Sequence, residues 1–201
     1  MKSRESFPGN DSQSSEKENE QKAFEGLFEN TLQKKGENIP TIEYNLPYPK
    51  EDFLRFIVAE KNVLLHGSSN REITILEPRQ ANDGSKKSGN KNAVYGVTDP
   101  VLPIFYAIQD RERLQGTIES VENDEETGES DYKFWIPKEM IDIKPWTRGF
   151  IYIFDKSQFK PEQGDTGEPS GEWTSEQPVN PIARLEVGPE DFRYLDKVEG
   201  K

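Results

Sequence analysis

The chain has 201 residues, no cysteine and one histidine, and its 26 Lys+Arg against 38 Asp+Glu leave a formal charge of −12. This excludes a disulfide scaffold, a thiolate nucleophile or metal site, and a multi-histidine metal centre within one chain. It also argues against nucleic acid or an anionic membrane as partner, both of which select for positive charge.

Only 31% of residues are apolar, against about 45–50% (glycine included) in ordinary globular chains, so part of the sequence is expected not to fold. No stretch approaches the roughly 18 apolar residues of a membrane span. No hydrophobic run at the N-terminus reads as a secretory signal. The expectation is a cytoplasmic protein with one domain plus tails.

Residues 1–22 carry only two apolar side chains, Met1 and Phe7, too few to offset the entropy of ordering, and read as a disordered tail. Phe24, Leu27 and Phe28 have helical spacing, so 23–48 reads as a short helix or clip followed by an extended linker with Gly36, Pro40 and Pro47. The folded domain is expected over 49–198. Lys50–Lys61 pairs Phe53 with Ile57 and Leu54 with Val58, the signature of an amphipathic helix.

Val63-Leu64-Leu65 then runs into His66-Gly67-Ser68-Ser69, a short buried strand entering a tight loop. After a second apolar patch at 73–76 and a polar loop at 80–92, Ala93–Val97 reads as a strand. It leads into an apolar helix over Pro100–Gln109, with Pro103 in its first turn. Residues 115–131 form an acidic excursion, and Phe134–Ile136 reads as a returning strand. Gly149–Phe154 is a strong strand, 155–172 a loop, and Ile182–Val187 an alternating, half-buried strand. Strands and helices mix without regular βαβ alternation, which makes the class α+β.

Several residues could carry chemistry. His66 stands at a strand end beside Gly67, which permits close backbone approach. Tyr95 could stack on a planar ligand, with Gly96 leaving room. Glu172 and Glu176 flank Trp173-Thr174-Ser175, and a carboxylate there could stabilise a developing cation. Arg79, after Glu77-Pro78, could grip a phosphate. Asn123–Glu126 offers oxygen ligands, but its spacing fits no EF-hand loop. The phosphate-loop, dinucleotide-fingerprint and nucleophile-elbow motifs are all absent. No serine is placed for a triad with His66. Lys86, Lys87 and Lys91 could still form a local basic patch for nucleic acid.

The order of three segments resembles the ADP-ribosyltransferase superfamily, in its His-Tyr-Glu branch. They are Val63-Leu64-Leu65-His66-Gly67-Ser68, Asn92-Ala93-Val94-Tyr95-Gly96-Val97-Thr98-Asp99-Pro100 and Trp173-Thr174-Ser175-Glu176-Gln177-Pro178-Val179. The resemblance implies an ADP-ribosyltransferase-like split antiparallel sheet with short flanking helices. It also implies an NAD-dependent ADP-ribosyltransferase or NAD glycohydrolase with NAD as substrate and an unidentified acceptor.

Its implied roles place His66 on a ribose hydroxyl, the Gly67 backbone on the nicotinamide amide with Ser68 beside it, and Tyr95 on the nicotinamide ring. Glu176 is placed on the 2′-hydroxyl of the nicotinamide ribose. Two departures stand out. Pro178 and Pro181 interrupt the segment after Glu176, where proline lacks the ladder donor, which makes Glu172 the reserve carboxylate. Thr174 stands two residues before Glu176, where the arginine-specific branch has a glutamate. A domain that keeps the fold but only binds a ligand or a protein is the alternative reading.

Overall fold

The computed structural model describes residues 11–34, 36, 38–80, 91–114, 117–123, 130–163 and 169–201. Helix α1 (Asp11–Leu32) is followed by α2 (Lys50–Glu60), β1 (Val63–Ser68), β2 (Arg79–Gln80), β3 (Asn92–Val97) and α3 (Val101–Ala107). The chain continues through β4 (Ile118–Asn123), β5 (Ser130–Ile136), β6 (Gly149–Asp155), β7 (Lys160–Gln163), β8 (Pro169–Ser175), β9 (Ala183–Val187) and β10 (Val198–Gly200).

One sheet has the strand order β7-β8-β3-β1-β6-β9, with β2 added on β3, and all its strand pairs are antiparallel. A second, smaller sheet runs β10-β5-β4, with β10 parallel to β5. The class is therefore mixed α and β with a mostly antiparallel sheet, as expected. Among the described residues, no helix is long and apolar enough to cross a membrane.

Strand alternation sends successive side chains to opposite faces. Val63 and Leu65 face a core built with Phe53 and Ile57 of α2, Ile104 and Phe105 of α3, and Phe134 of the smaller sheet. Leu64 faces the other way, with Val94, Phe150, Tyr152 and Phe154, under Leu76 and Val179 from connecting segments. Leu76 and Val179 exchange two backbone hydrogen bonds at 3.0 Å, which pins that cover in place.

Residues 11–22, expected to stay unfolded, form the polar first half of α1. Phe24 and Phe28 are buried against Phe53 of α2, with ring centroids 5.6 and 6.4 Å away. A helix docked at one end propagates cheaply through Gln, Glu and Lys, all good helix formers. The linker expected over 33–48 also contributes to the core through buried Ile42, whose N–H donates to the Arg184 carbonyl at 2.8 Å. The first ten residues of the tail, the loop 81–90 with Lys86 and Lys87, the acidic tip 124–129 and residues 164–168 lie outside the described residues.

Two glycines seat α3 on the sheet. A Cβ on Gly67 would lie 1.8 Å from the Pro103 carbonyl oxygen, and one on Gly149 would lie 2.1 Å from that of Ala107. Strands β1 and β6 therefore carry bare backbone where the helix backbone rests. The close approach that Gly67 permits is to α3, which corrects the expectation that it opens space for a ligand. Gly96 is corrected in the same way, because the space its missing side chain leaves is filled by Leu64, 3.1 Å from the Cβ position.

Candidate functional site

The three strands that carry the candidate residues are neighbours. β1 holds His66, β3 holds Tyr95 and β8 holds Glu172, and they lie in the order β8-β3-β1. Glu172 pairs with Val97 and Val97 with Leu65, so these residues form one row across the sheet. Adjacent strands lie about 4.8 Å apart, so the Glu172 backbone is about 10 Å from that of Leu65, the residue before His66.

The row is also where the sheet parts. β1 pairs with β6 at every position from Val63 to Ser68, but with β3 only at Leu65–Val97. Beyond that pair the β3-facing edge of His66–Ser68 has no strand partner among the described residues. His66 spans the gap, its Nδ1 lying 2.9 Å from the Tyr95 carbonyl oxygen. A carbonyl only accepts, so Nδ1 carries the proton.

Burial pushes the His66 ring below its ordinary titration range. The Tyr95 carbonyl opposes this, and the charges of Arg111 and Arg79 reinforce it. Only part of the His66 surface meets solvent. The neutral ring leaves Nε2 as an acceptor, free to take a hydrogen bond from a hydroxyl.

This single histidine makes a direct test possible. Its imidazole proton resonance should titrate below the ordinary value of 6.5 in the folded chain and at that value in denaturant. The sign for stability follows from linkage. The unfolded chain takes up the proton first as pH falls below 6.5, so stability is complete above that pH and drops below it. The drop should be smaller in His66→Gln. An equal pH dependence in both chains would refute the assigned ring state.

Tyr95 and Glu172 lie on the sheet face of Leu65, whereas alternation assigns His66 to the face of Leu64 and Tyr152. What joins the two faces is the contact between His66 Nδ1 and the Tyr95 carbonyl at the parting. Tyr95 is partly exposed, and its hydroxyl accepts from the Lys91 N–H at 3.1 Å. Ser68 Oγ accepts from the Asn70 N–H at 3.1 Å and keeps its own hydrogen to donate.

The two glutamates separate. Glu172 lies inside β8, its N–H held by Ser170 Oγ at 3.2 Å, and its Oε2 is buried with no hydrogen-bond partner. Glu176 is exposed in the turn after β8. β8 ends at Ser175, Pro178 and Pro181 lie in the connection, and the alternating segment becomes β9 on the opposite edge of the sheet. Among the described residues, Gln109 is the other side chain with buried, unpartnered polar atoms, and it follows α3.

Sequence reasoning missed a cluster beside Tyr95 and Glu172. Lys91 Nζ donates to both oxygens of Glu162 at 2.7 and 2.6 Å, and the Thr174 hydroxyl donates to the same carboxylate. Burial pushes the Glu162 carboxyl up, but the bonds from Lys91 and Thr174 outweigh it and hold it below the usual range. Nothing in the pattern around Lys91 or Glu162 announces this pairing, because β7 is a short, polar edge strand.

Among the described residues, no three or more His, Cys, Asp or Glu side chains gather as a metal site would require. A groove of about 440 Å³ between α1 and α2 is lined by residues such as Glu18, Phe56 and Lys61 and contains none of the candidates. No family model matches this chain, and neither does any curated protein or solved structure.

Proposed function

We propose that the chain is an NAD-dependent ADP-ribosyltransferase or NAD glycohydrolase with an ADP-ribosyltransferase-like split sheet. The observation that carries this reading is the parting between β1 and β3 at His66, with Tyr95 and the unpartnered Glu172 on the adjoining strands. His66 and Tyr95 stand in segments whose sequence resembles the His-Tyr-Glu branch, Glu172 directly precedes the third such segment, and β1, β3 and β8 are neighbours in the sheet.

The chemistry follows from the groups present. NAD enters the parting with its nicotinamide against the Tyr95 ring and the Gly67 edge. A ribose hydroxyl donates to His66 Nε2. The bond from ribose C1′ to the pyridinium nitrogen breaks, its electron pair leaves with neutral nicotinamide, and C1′ becomes an oxocarbenium-like cation. The Glu172 carboxylate faces that charge and accepts from the 2′-hydroxyl. A nucleophile then attacks C1′ and loses its proton, water giving hydrolysis and another acceptor giving transfer. Glu172, which the strand holds, replaces Glu176 as the proposed carboxylate.

Calorimetric titration with NAD, followed by a nicotinamide-release assay, tests the reading. Binding is expected in the parent chain and is lost in His66→Ala/Tyr95→Ala. Release of nicotinamide by the parent chain supports the enzyme, and binding without release supports the non-catalytic alternative. No binding at millimolar NAD, a free energy weaker than about −4 kcal/mol, would sink the NAD reading and leave the non-catalytic alternative.

A further inference from the structure

The Tyr95 side chain is held at both ends. At its base, Tyr95 lies directly opposite Thr174 of β8, and opposite residues share a sheet face with Cβ atoms about 5 Å apart. At its tip, the hydroxyl accepts from the Lys91 N–H at 3.1 Å and donates to the Lys91 carbonyl at 3.4 Å. Lys91 stands just before β3 and outside its ladder pairs among the described residues. The ladder therefore does not fix where this grip sits.

Glu162 of β7 supplies the fixed point. Its carboxylate accepts from Lys91 Nζ at 2.7 and 2.6 Å, and also from the Thr174 hydroxyl. One carboxylate thereby ties the grip on the Tyr95 hydroxyl to the side chain beside the base of the ring. The Glu162 backbone is held as well, because its carbonyl accepts from the Ser170 hydroxyl at 3.1 Å. The contacts close a loop from Tyr95 through Lys91, Glu162 and Thr174 back across the ladder to Tyr95.

Stability alone does not account for such a residue. Glu162 is the one buried residue of a short edge strand whose Lys160, Pro161 and Gln163 are exposed. Desolvating a carboxylate is costly, and apolar residues in place of a buried ion pair often give equal stability. An apolar side chain could not, however, hold a lysine that is itself half exposed.

We propose that Glu162 is a positioning residue: it anchors Lys91, whose main chain grips the Tyr95 hydroxyl, and so presets the Tyr95 ring as a stacking surface for the nicotinamide. The nicotinamide rests on the NAD reading above, whereas the hold on the ring does not. A ring already fixed before the ligand arrives loses less freedom on binding, which strengthens the complex without a new contact.

Two measurements on the full chain test this. The first uses no ligand. Carbon-13 relaxation of labelled tyrosine rings, with Tyr95 identified by its loss in Tyr95→Phe, is expected to show a rigid Tyr95 ring in the parent chain. That ring should gain fast motion in Glu162→Gln and in Lys91→Met, while Tyr44 and Tyr194 stay unchanged. Lys91 is exposed, so its variant keeps the test intact whatever Glu162→Gln does to stability. The second is calorimetry with NAD. Each of Glu162→Gln, Lys91→Met and Tyr95→Phe should weaken binding by about three- to tenfold, the cost of immobilising one side chain. Tyr95→Phe/Glu162→Gln should be no weaker than Tyr95→Phe, because both changes open the same loop.

A Tyr95 ring as rigid in both variants as in the parent chain overturns the proposal and leaves the NAD reading standing. Losses of affinity that multiply in the double variant also overturn it, since Glu162 would then act other than through Tyr95. A loosened ring in a chain whose parent binds no NAD supports the hold on Tyr95 and overturns the NAD reading.

Discussion

Glu172→Gln is expected to release nicotinamide about 10²–10³-fold more slowly than the parent chain, the usual cost of removing one transition-state electrostatic partner. NAD affinity should change only a few-fold, because a glutamine still accepts a hydrogen bond through its amide oxygen. The physical reason lies in the charge. A carboxylate opposes the positive ribose only while the C1′ bond is breaking, so its loss falls on the turnover rate rather than on ground-state binding.

The same substitution should leave the fold as stable as before or slightly more so. Glu172 Oε2 is buried without a partner, and a buried polar oxygen left unpaired costs about 1–3 kcal/mol. A residue kept for packing would instead lose stability when changed. Glu176→Gln is the matched control, expected to be silent because Glu176 is exposed beyond the strand. Equal loss of rate in both variants, or loss in Glu176→Gln alone, would refute the assignment of the carboxylate to β8.

Gly67→Ala is expected to destabilise the chain by about 3 kcal/mol, the upper part of the range for overpacking a close-packed site. At about 2–4 °C per kcal/mol for a chain of this size, the thermal midpoint should fall by roughly 6–12 °C. The added Cβ meets the carbonyl oxygen, carbonyl carbon and Cα of Pro103 at 1.8, 2.5 and 2.7 Å. These are backbone atoms, so no rotamer change relieves the clash and α3 itself must move.

Gly96→Ala is the contrast. Its Cβ would meet Leu64 side-chain atoms at 3.1 and 3.2 Å, which can give by a few tenths of an ångström, and its cost should be clearly smaller. Because Gly67 directly follows His66 on β1, moving the helix that rests on it should also weaken NAD binding. A Gly67→Ala chain as stable as its parent would show that the helix does not rest on this strand.

Much of the central architecture was readable from apolar pattern. Strands β1 and β6 and helices α2 and α3 are buried on one or more sides by Leu64, Leu65, Ile151, Ile153, Phe53 and Ile104, and such segments announce themselves in composition. The His66 strand end and the Tyr95 strand-to-helix passage were readable for the same reason. The polar elements were not. β7 and most of β8 sit in a stretch that reads as loop, and β4 in one that reads as an acidic excursion. These strands are held by ladder hydrogen bonds to a neighbour rather than by an apolar stripe of their own. The polar half of α1 likewise depends on where Phe24 and Phe28 dock.

By itself, then, the sequence determined the class and the central strands, and so which strands carry His66 and Tyr95, because local burial leaves a periodic trace. Only the tertiary structure decided what those residues face. Strand order set β8 beside β3, the end of β8 at Ser175 left Glu172 inside the strand and Glu176 beyond it, and α3 claimed the space at Gly67. Each of these is a contact between segments far apart in the chain. Such contacts depend on which backbone edges remain free when the sheet is assembled, and no local pattern of side chains records that.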